Sequence, residues 1–112
     1  MLVGVNRVVL LGTIGKYPPS LHYAPSGTAC ASCHLVIPEP AQDGQWFSTL
    51  VPCEVWGKRA EAASLLAPGT LVLFEGKLQK RKKGEAWELI VSGFDLRPLT
   101  EQTAQEKESA YA

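Results

Sequence analysis

Residues 70–96, TLVLFEGKLQKRKKGEAWELIVSGFDL, constrain the fold more than any other stretch of the chain. Two runs rich in Val, Ile, Leu, Phe and Trp, residues 71–79 and 86–96, are interrupted by polar or small residues at the spacing of strands. Between them lies the polar segment 80–85, whose Gly84 can take a positive φ where the chain reverses. The spacing predicts a long β-hairpin. Lys77, Lys80, Arg81, Lys82 and Lys83 gather five cations into seven residues of a chain whose 11 basic and 11 acidic residues otherwise balance. Trp87 follows at once. Cations beside an aromatic surface supply what single-stranded nucleic acid needs, neutralised phosphates and a platform for stacked bases. The competing reading of the same residues is a solvated tip whose lysines discourage edge-to-edge pairing.

A chain of 112 residues and 12.1 kDa is long enough for one domain with a real core. Ten glycines, eight prolines and many β-branched residues favour a β-rich chain with tight turns. With a formal net charge of zero, any anion binding must come from a localised patch and not from a generally cationic surface. No apolar run approaches the roughly 20 residues of a membrane span, so no membrane association is expected. The N-terminus lacks the basic region, apolar stretch and cleavage site of a signal peptide, and a cytoplasmic protein is expected, at the nucleoid if nucleic acid is its ligand.

Taken in order, residues 7–14 (RVVLLGTI) form a strand in which Gly12 offers a bulge or bend that lets a small sheet curl. Residues 15–27 contain Pro18, Pro19 and Pro25 and read as a loop, with His22 and Tyr23 as surface groups. A second strand, 28–37, is followed by Pro38, Pro40 and a polar turn at 42–45, and its hairpin partner runs from Trp46 to Trp56. In that partner Val51, Cys53 and Val55 alternate with Pro52, Glu54 and Trp56. If the first set faces the core, Trp56 shares the outer face with a carboxylate. Pro52 confines this strand to an edge or an unpaired register. Residues 58–66 form the one good helix, with Ala62, Leu65 and Leu66 on one face, ended by Pro68-Gly69. Five strands with a helix between the third and fourth give the order of the OB-fold, an all-β, five-stranded Greek-key barrel. It spans residues 1–99, and the polar segment 100–112 is expected to be a disordered tail. A barrel of this size is filled by side chains, which leaves binding to its outer face and loops.

Cys30, Cys33 and Cys53 cannot all pair within one chain and are expected to be free thiols in a reducing compartment. Cys30-Ala-Ser-Cys33-His34 matches the string used for covalent haem attachment, and Cys30, Cys33, His34 and Cys53 have the ligand types of a zinc site. Residues three apart on a strand point to opposite faces, however, and no second close-spaced pair is present. Packing of small apolar side chains in a β core is the preferred reading, with no metal or other cofactor. His22 and His34 are the only histidines, and no nucleophile motif, phosphate loop or acid–base pair is visible, which disfavours an enzyme.

Several segments together resemble the bacterial single-stranded DNA-binding protein family. Residues 4–15 (GVNRVVLLGTIG) are similar to that family's opening strand, and Pro18, Tyr23 and Pro25-Ser26-Gly27 to the stretch that leads into its second. Val55-Trp56-Gly57-Lys58-Arg59-Ala60-Glu61 is similar to its third-strand ending and helix start, and Phe74-Glu75-Gly76-Lys77-Leu78 with the basic run to its fourth strand and hairpin. The resemblance implies an OB-fold module that assembles as a homo-oligomer, usually a tetramer, and wraps single-stranded DNA without sequence preference in replication, recombination and repair. Three positions where the family carries stacking aromatics fall near Ala41, Leu50 and Lys83, none of them aromatic. The family's acidic tip for recruiting partners has no counterpart in residues 107–112, KESAYA.

The candidate nucleic-acid contacts are therefore Lys77, Lys80, Arg81, Lys82 and Lys83, with Arg7, Lys58 and Arg59 adding charge and Trp56 and Trp87 stacking bases. Trp56 suits a subunit interface as well as stacking. Trp46 is expected to pack at a loop edge. The alternative function is an OB-fold protein-interaction module of a replication-restart (primosomal) assembly with weak DNA affinity.

Overall fold

The structure, a computed structural model, describes residues 2–99; the segment expected to be a tail, 100–112, lies outside the described residues. Its elements are β1 (Val8–Ile14), β2 (Ser20–Tyr23), β3 (Ala29–Pro40), β4 (Trp46–Trp56), α1 (Lys58–Ser64), β5 (Leu71–Lys83) and β6 (Ala86–Pro98). The strands are ordered β1-β5-β6-β4-β3-β2, and β1 also pairs with β3, so β1, β3, β4, β6 and β5 form a closed barrel. This is the expected OB-fold. β2 is an addition to the sequence expectation: Ser20 to Tyr23 pair with Ser32 to Ala29 on the outer edge of β3. All four of its residues are exposed, so it carries no buried alternation by which a strand could be recognised.

The core follows a two-residue period in β3, β4 and β5, and in β6 a bulge opposite Glu75 and Gly76 shifts the phase between Val91 and Leu96. Ala31, Cys33 and Leu35 of β3, Cys53 and Val55 of β4, Val72 and Phe74 of β5, and Val91 and Leu96 of β6 pack inward with Ile14. Helix α1 covers part of this core with Ala60 and Ala63, both buried, whereas Ala62 and Leu65 are exposed and Leu66 packs only in part. The buried face is thus not the expected one. The two alanines let the helix backbone come close to the strands, and the leucine that promised the most burial lies outside, 86% exposed.

Gly12 makes closure feasible. Its neighbours Thr13 and Ile14 pair with Val36 and Leu35 of β3 while residues 8–13 pair with β5, so two strands crowd one point of β1. A Cβ at Gly12 would lie 2.4 Å from the Val36 carbonyl oxygen and 2.6 Å from Ile37 Cδ1. The β1–β5 register runs without a bulge, so this glycine serves close approach.

The β5–β6 hairpin is longer than its sequence suggests. Pairing continues through Lys80↔Leu89, Arg81↔Glu88 and Lys82↔Trp87 to Lys83↔Ala86, leaving only Gly84 and Glu85 in the turn. Gly84 takes φ 63°, the sign that a type II′ turn requires at its first central position. Residues 80–83 are therefore strand, not tip. β4 pairs in parallel with β6 only at Cys53↔Val91, Glu54↔Ser92 and Val55↔Gly93, so the rest of the hairpin projects as an arm. Pro52 sits just before that pairing begins, where β4 has a partner only in β3.

Glu54 departs from expectation. It does alternate away from the core residues Cys53 and Val55, yet it is 1% exposed, because the arm covers it and Arg81 reaches back to its carboxylate. Burial alone would raise the Glu54 carboxyl. The Arg81 hydrogen bond and charge, helped by Trp56 and Cys30, overcome that cost and hold it below its ordinary value of 4.5. The Cys30 thiol donates to the second carboxylate oxygen at 3.8 Å.

Two outcomes are expected. Gly12→Ala destabilises the fold by roughly 1 to 3 kcal/mol in chemical denaturation, because the backbone oxygen it meets cannot rotate away. A carboxyl whose folded pKa is depressed adds stability in full above its unfolded pKa and loses it as pH falls through the lower folded value. The difference in Tm between the wild type and Glu54→Gln is accordingly largest near pH 7 and shrinks in acid below about pH 4.5, as paired thermal melts will show.

Candidate nucleic-acid interface

Strand alternation divides the candidate residues between two surfaces. Because Glu54 pairs with Ser92 and Ser92 with Lys77, the even residues of β4 share a face with the odd residues of β5. That outer face carries Trp46, Leu50, Pro52, Glu54 and Trp56 along β4, with Lys77, Gln79, Arg81 and Lys83 on the arm. Trp46 is 70% exposed, Leu50 64% and Trp56 37%, so a row of large side chains lies open along one strand. Trp46 stands at a loop edge as expected, but it is largely exposed and not packed there. It stands opposite Pro40 at the far end of the β3–β4 hairpin, whose turn is set by Gly44 at φ 85° and by Asp43 accepting from the Gln45 amide.

The opposite face of the arm carries Leu78, Lys80, Lys82, Trp87 and Leu89. Lys80 Nζ lies 4.5 Å and Lys82 Nζ 6.0 Å from the Trp87 ring centroid, so this indole is flanked by two ammonium groups. Trp56 and Trp87 are thus on different faces of the sheet. The five arm cations divide likewise, Lys77, Arg81 and Lys83 toward the Trp56 face and Lys80 and Lys82 toward the Trp87 face.

The cations also differ in how much of their charge is available. Arg7 donates to Glu75 at 2.7 Å, Arg97 reaches Glu75 at 3.6 Å and Asp95 at 2.9 Å, and Arg59 donates to Asp95. Three arginines and two acids form one chain of ion pairs that runs from the residue before β1 across β5 and β6 to the start of α1. Arg81 is bound to Glu54. Among the described residues Lys16, Lys58, Lys77, Lys80, Lys82 and Lys83 have no acidic partner, so the lysines are the cations free to meet an external anion. Each is solvent-exposed.

A groove of about 400 Å³ opens on the Trp56 side, where Ser32, His34 and Pro52 meet Glu88, Ile90 and Lys83, with Tyr17 and Pro18 at its rim. Tyr17 is 72% exposed, and Lys16 Nζ lies 5.4 Å from its ring centroid. Tyr17, Lys16 and His34 had no part in the expected site. The Lys16-Tyr17 dipeptide repeats the pattern of a cation beside an aromatic, which is the one signal by which it could have been found. Tyr23 is less free: its hydroxyl donates to Glu61 at 3.0 Å, tying β2 to α1, and that bond and the Glu61 charge raise its pKa.

The cysteines separate as strand geometry requires. Cys33 and Cys53 are cross-strand partners facing the core, and Cys30 faces Glu54 on the other side. Burial pushes the Cys33 thiol up to about 11 and raises Cys53 further; burial and the Glu54 charge raise Cys30. Protonated thiols are poor nucleophiles and poor metal ligands. Among the described residues no three His, Cys, Asp or Glu side chains are grouped as metal ligands would be.

The Single-stranded DNA-binding protein 3 of Listeria innocua is 39% identical over 80 residues, covering 69% of this chain and 49% of the relative. The Single-stranded DNA-binding protein 3 of Clostridium acetobutylicum is 38% identical over 80 residues, covering 69% of this chain and 55% of the relative. The chain spans about half the length of the curated relatives it matches. The crystal structure of the wild-type single-stranded DNA binding protein from Thermus aquaticus superposes with a TM-score of 0.70 at 26% identity, covering 87% of this chain and 41% of that one. A deletion mutant of the same protein gives 0.72 at 30% identity, covering 88% and 52%. The sequence profile of the single-strand binding protein family matches residues 5–86, which take in β1 through β5 and end at the first residue of β6, and to that family this chain belongs.

Proposed function

We propose that the protein binds single-stranded DNA without sequence preference and performs no catalysis. The observation that carries this reading is the open row Trp46, Leu50 and Trp56 along β4, flanked on one face by Lys77 and Lys83. Bases stack or pack on the row while lysines neutralise phosphates, a combination that is indifferent to base identity because every base has a π-face. The groove by His34 and Lys83 continues this path toward Tyr17. Trp87, with Lys80 and Lys82, provides a second contact on the far face of the arm, so a strand that engages both indoles passes around the arm. Lys58 adds charge at the start of α1, and Arg7 and Arg59 act mainly within their ion-pair chain. The names of the relatives describe binding to single-stranded DNA and support the same reading. A role in replication, recombination and repair, a place in the cytoplasm at the nucleoid, and a homo-oligomer, tetrameric or dimeric, belong to this proposal. Leu78 and Leu89 offer apolar surface on the arm to a second copy.

The balance of charges favours a second reading. Arg7, Arg59 and Arg81 all pair with acids, and Leu50 stands where an aromatic would stack more strongly. A protein-interaction module of a replication-restart assembly, with weak DNA affinity, suits a surface of that kind.

Titration with oligo-dT followed by tryptophan fluorescence separates the two. Under the first reading fluorescence is quenched at low salt, and log Kobs falls against log[salt] by roughly 0.7 for each phosphate neutralised, up to about 3 if four arm lysines engage. Replacing Lys77, Lys80, Lys82 and Lys83 with Gln flattens that slope, and Trp56→Ala weakens binding by about 1 to 3 kcal/mol. Absence of quenching at low salt, or an affinity indifferent to salt, leaves the second reading in place.

A further inference from the structure

An acidic residue in the middle of a surface meant for a polyanion needs a physical reason. Glu54 lies on the face of Trp46, Leu50 and Trp56, two residues before Trp56, yet solvent barely reaches it. Its carboxylate is bracketed by Cys30 of β3 on one side and by Arg81 of the arm on the other. Backbone pairing between β4 and β6 stops at Cys53↔Val91, so residues 86–90 of the arm have no ladder to the rest of the barrel. The ion pair from Arg81 to Glu54 is the charged contact that ties the arm to β4 beyond the end of that ladder.

We propose that Glu54 is a positioning residue for DNA binding, which through Arg81 holds the β5–β6 arm over β4, and that Arg81 is an internal tether and not a phosphate contact. The inference rests on the DNA-binding reading above and deepens it. A phosphate that captured Arg81 would strand a buried carboxylate without a counter-charge, which is far more costly than meeting a lysine that has no partner. Guanidinium also suits the role, since its planar fork keeps a fixed geometry toward a carboxylate, whereas an ammonium on a flexible stem suits a mobile chain of phosphates. The five arm cations therefore divide by chemistry as well as by face. Four lysines meet DNA, and the one arginine sets where they stand.

Two measurements test this. In salt-dependent oligo-dT titrations the double variant Glu54→Leu/Arg81→Leu, which replaces the pair by apolar packing, keeps the wild-type slope; a slope shallower by about 0.7 makes Arg81 a phosphate ligand and overturns the proposal. In hydrogen exchange of the free protein Glu54→Gln, which keeps the side-chain shape and removes the charge, exchange at the amides of residues 79–90 speeds up by at least about tenfold while the amides of the β1–β5 ladder, residues 8–13 and 71–76, hold, as expected when a local opening loses a stabilising contact. Unchanged exchange in the arm shows that Glu54 tethers nothing and also overturns it. Failure of the wild type to bind oligo-dT would instead refute the DNA-binding reading, and the exchange result would still decide whether Glu54 holds the arm.

Discussion

The pairing of β5 with β6 as far as Lys83↔Ala86 is the constraint on which the rest of the surface depends. Had residues 80–83 formed a loose tip, their charges would have pooled into one patch around the turn. Held as strand, they alternate, and the pleat sends Lys80 and Lys82 to one face and Arg81 and Lys83 to the other. Each face then meets a different environment. One is continuous with the Trp46–Trp56 row of β4 and its groove, and the other carries Trp87 between two ammonium groups. A chain with no net charge thereby presents cations on two sides of one thin arm.

Competition among charges then decides which cations are available. The arginines are consumed within the molecule, in the Glu75–Asp95 chain and at Glu54, where fixed geometry repays the ordering of both partners. The lysines remain in water, where a hydrated point charge on a long stem gives up little when it turns from solvent to phosphate. Formal charge counted along the sequence cannot make this distinction, because it depends on which acids the fold brings close. Glu75 and Arg7 are 68 residues apart, and Glu54 and Arg81 are 27.

Much of the fold was legible in the residues. The hairpin, the turns at Gly44 and Gly84, the position of α1 and the barrel order followed from alternation and from the glycines and prolines that punctuate it. What was not legible depends on contacts between distant segments. β2 has no buried residue to mark it, and it exists because β3 offers it an edge. The buried face of α1 is chosen by close approach of Ala60 and Ala63, not by the largest side chains. The alternation in β4 was read correctly, but it predicts which residues leave the core and not whether another element covers them. Glu54 and Trp56 share that outer face, and only Trp56 emerges from beneath the arm. For the same reason residue type could name Trp56 and Trp87 as candidate platforms without revealing that they face opposite ways.

In the proposed mode of binding a single strand of DNA lies along the outer face of β4, between the Trp46–Trp56 row and the arm. Mapping backbone and indole NMR shifts on addition of a short oligo-dT tests it most directly. The account predicts that the largest changes fall at Trp56, Leu50, His34 and Lys83, and that within α1 only Lys58 at its start responds. Shifts confined to α1 and the outer edge of β2, with the Trp46, Leu50 and Trp56 signals unmoved at saturation, would contradict it.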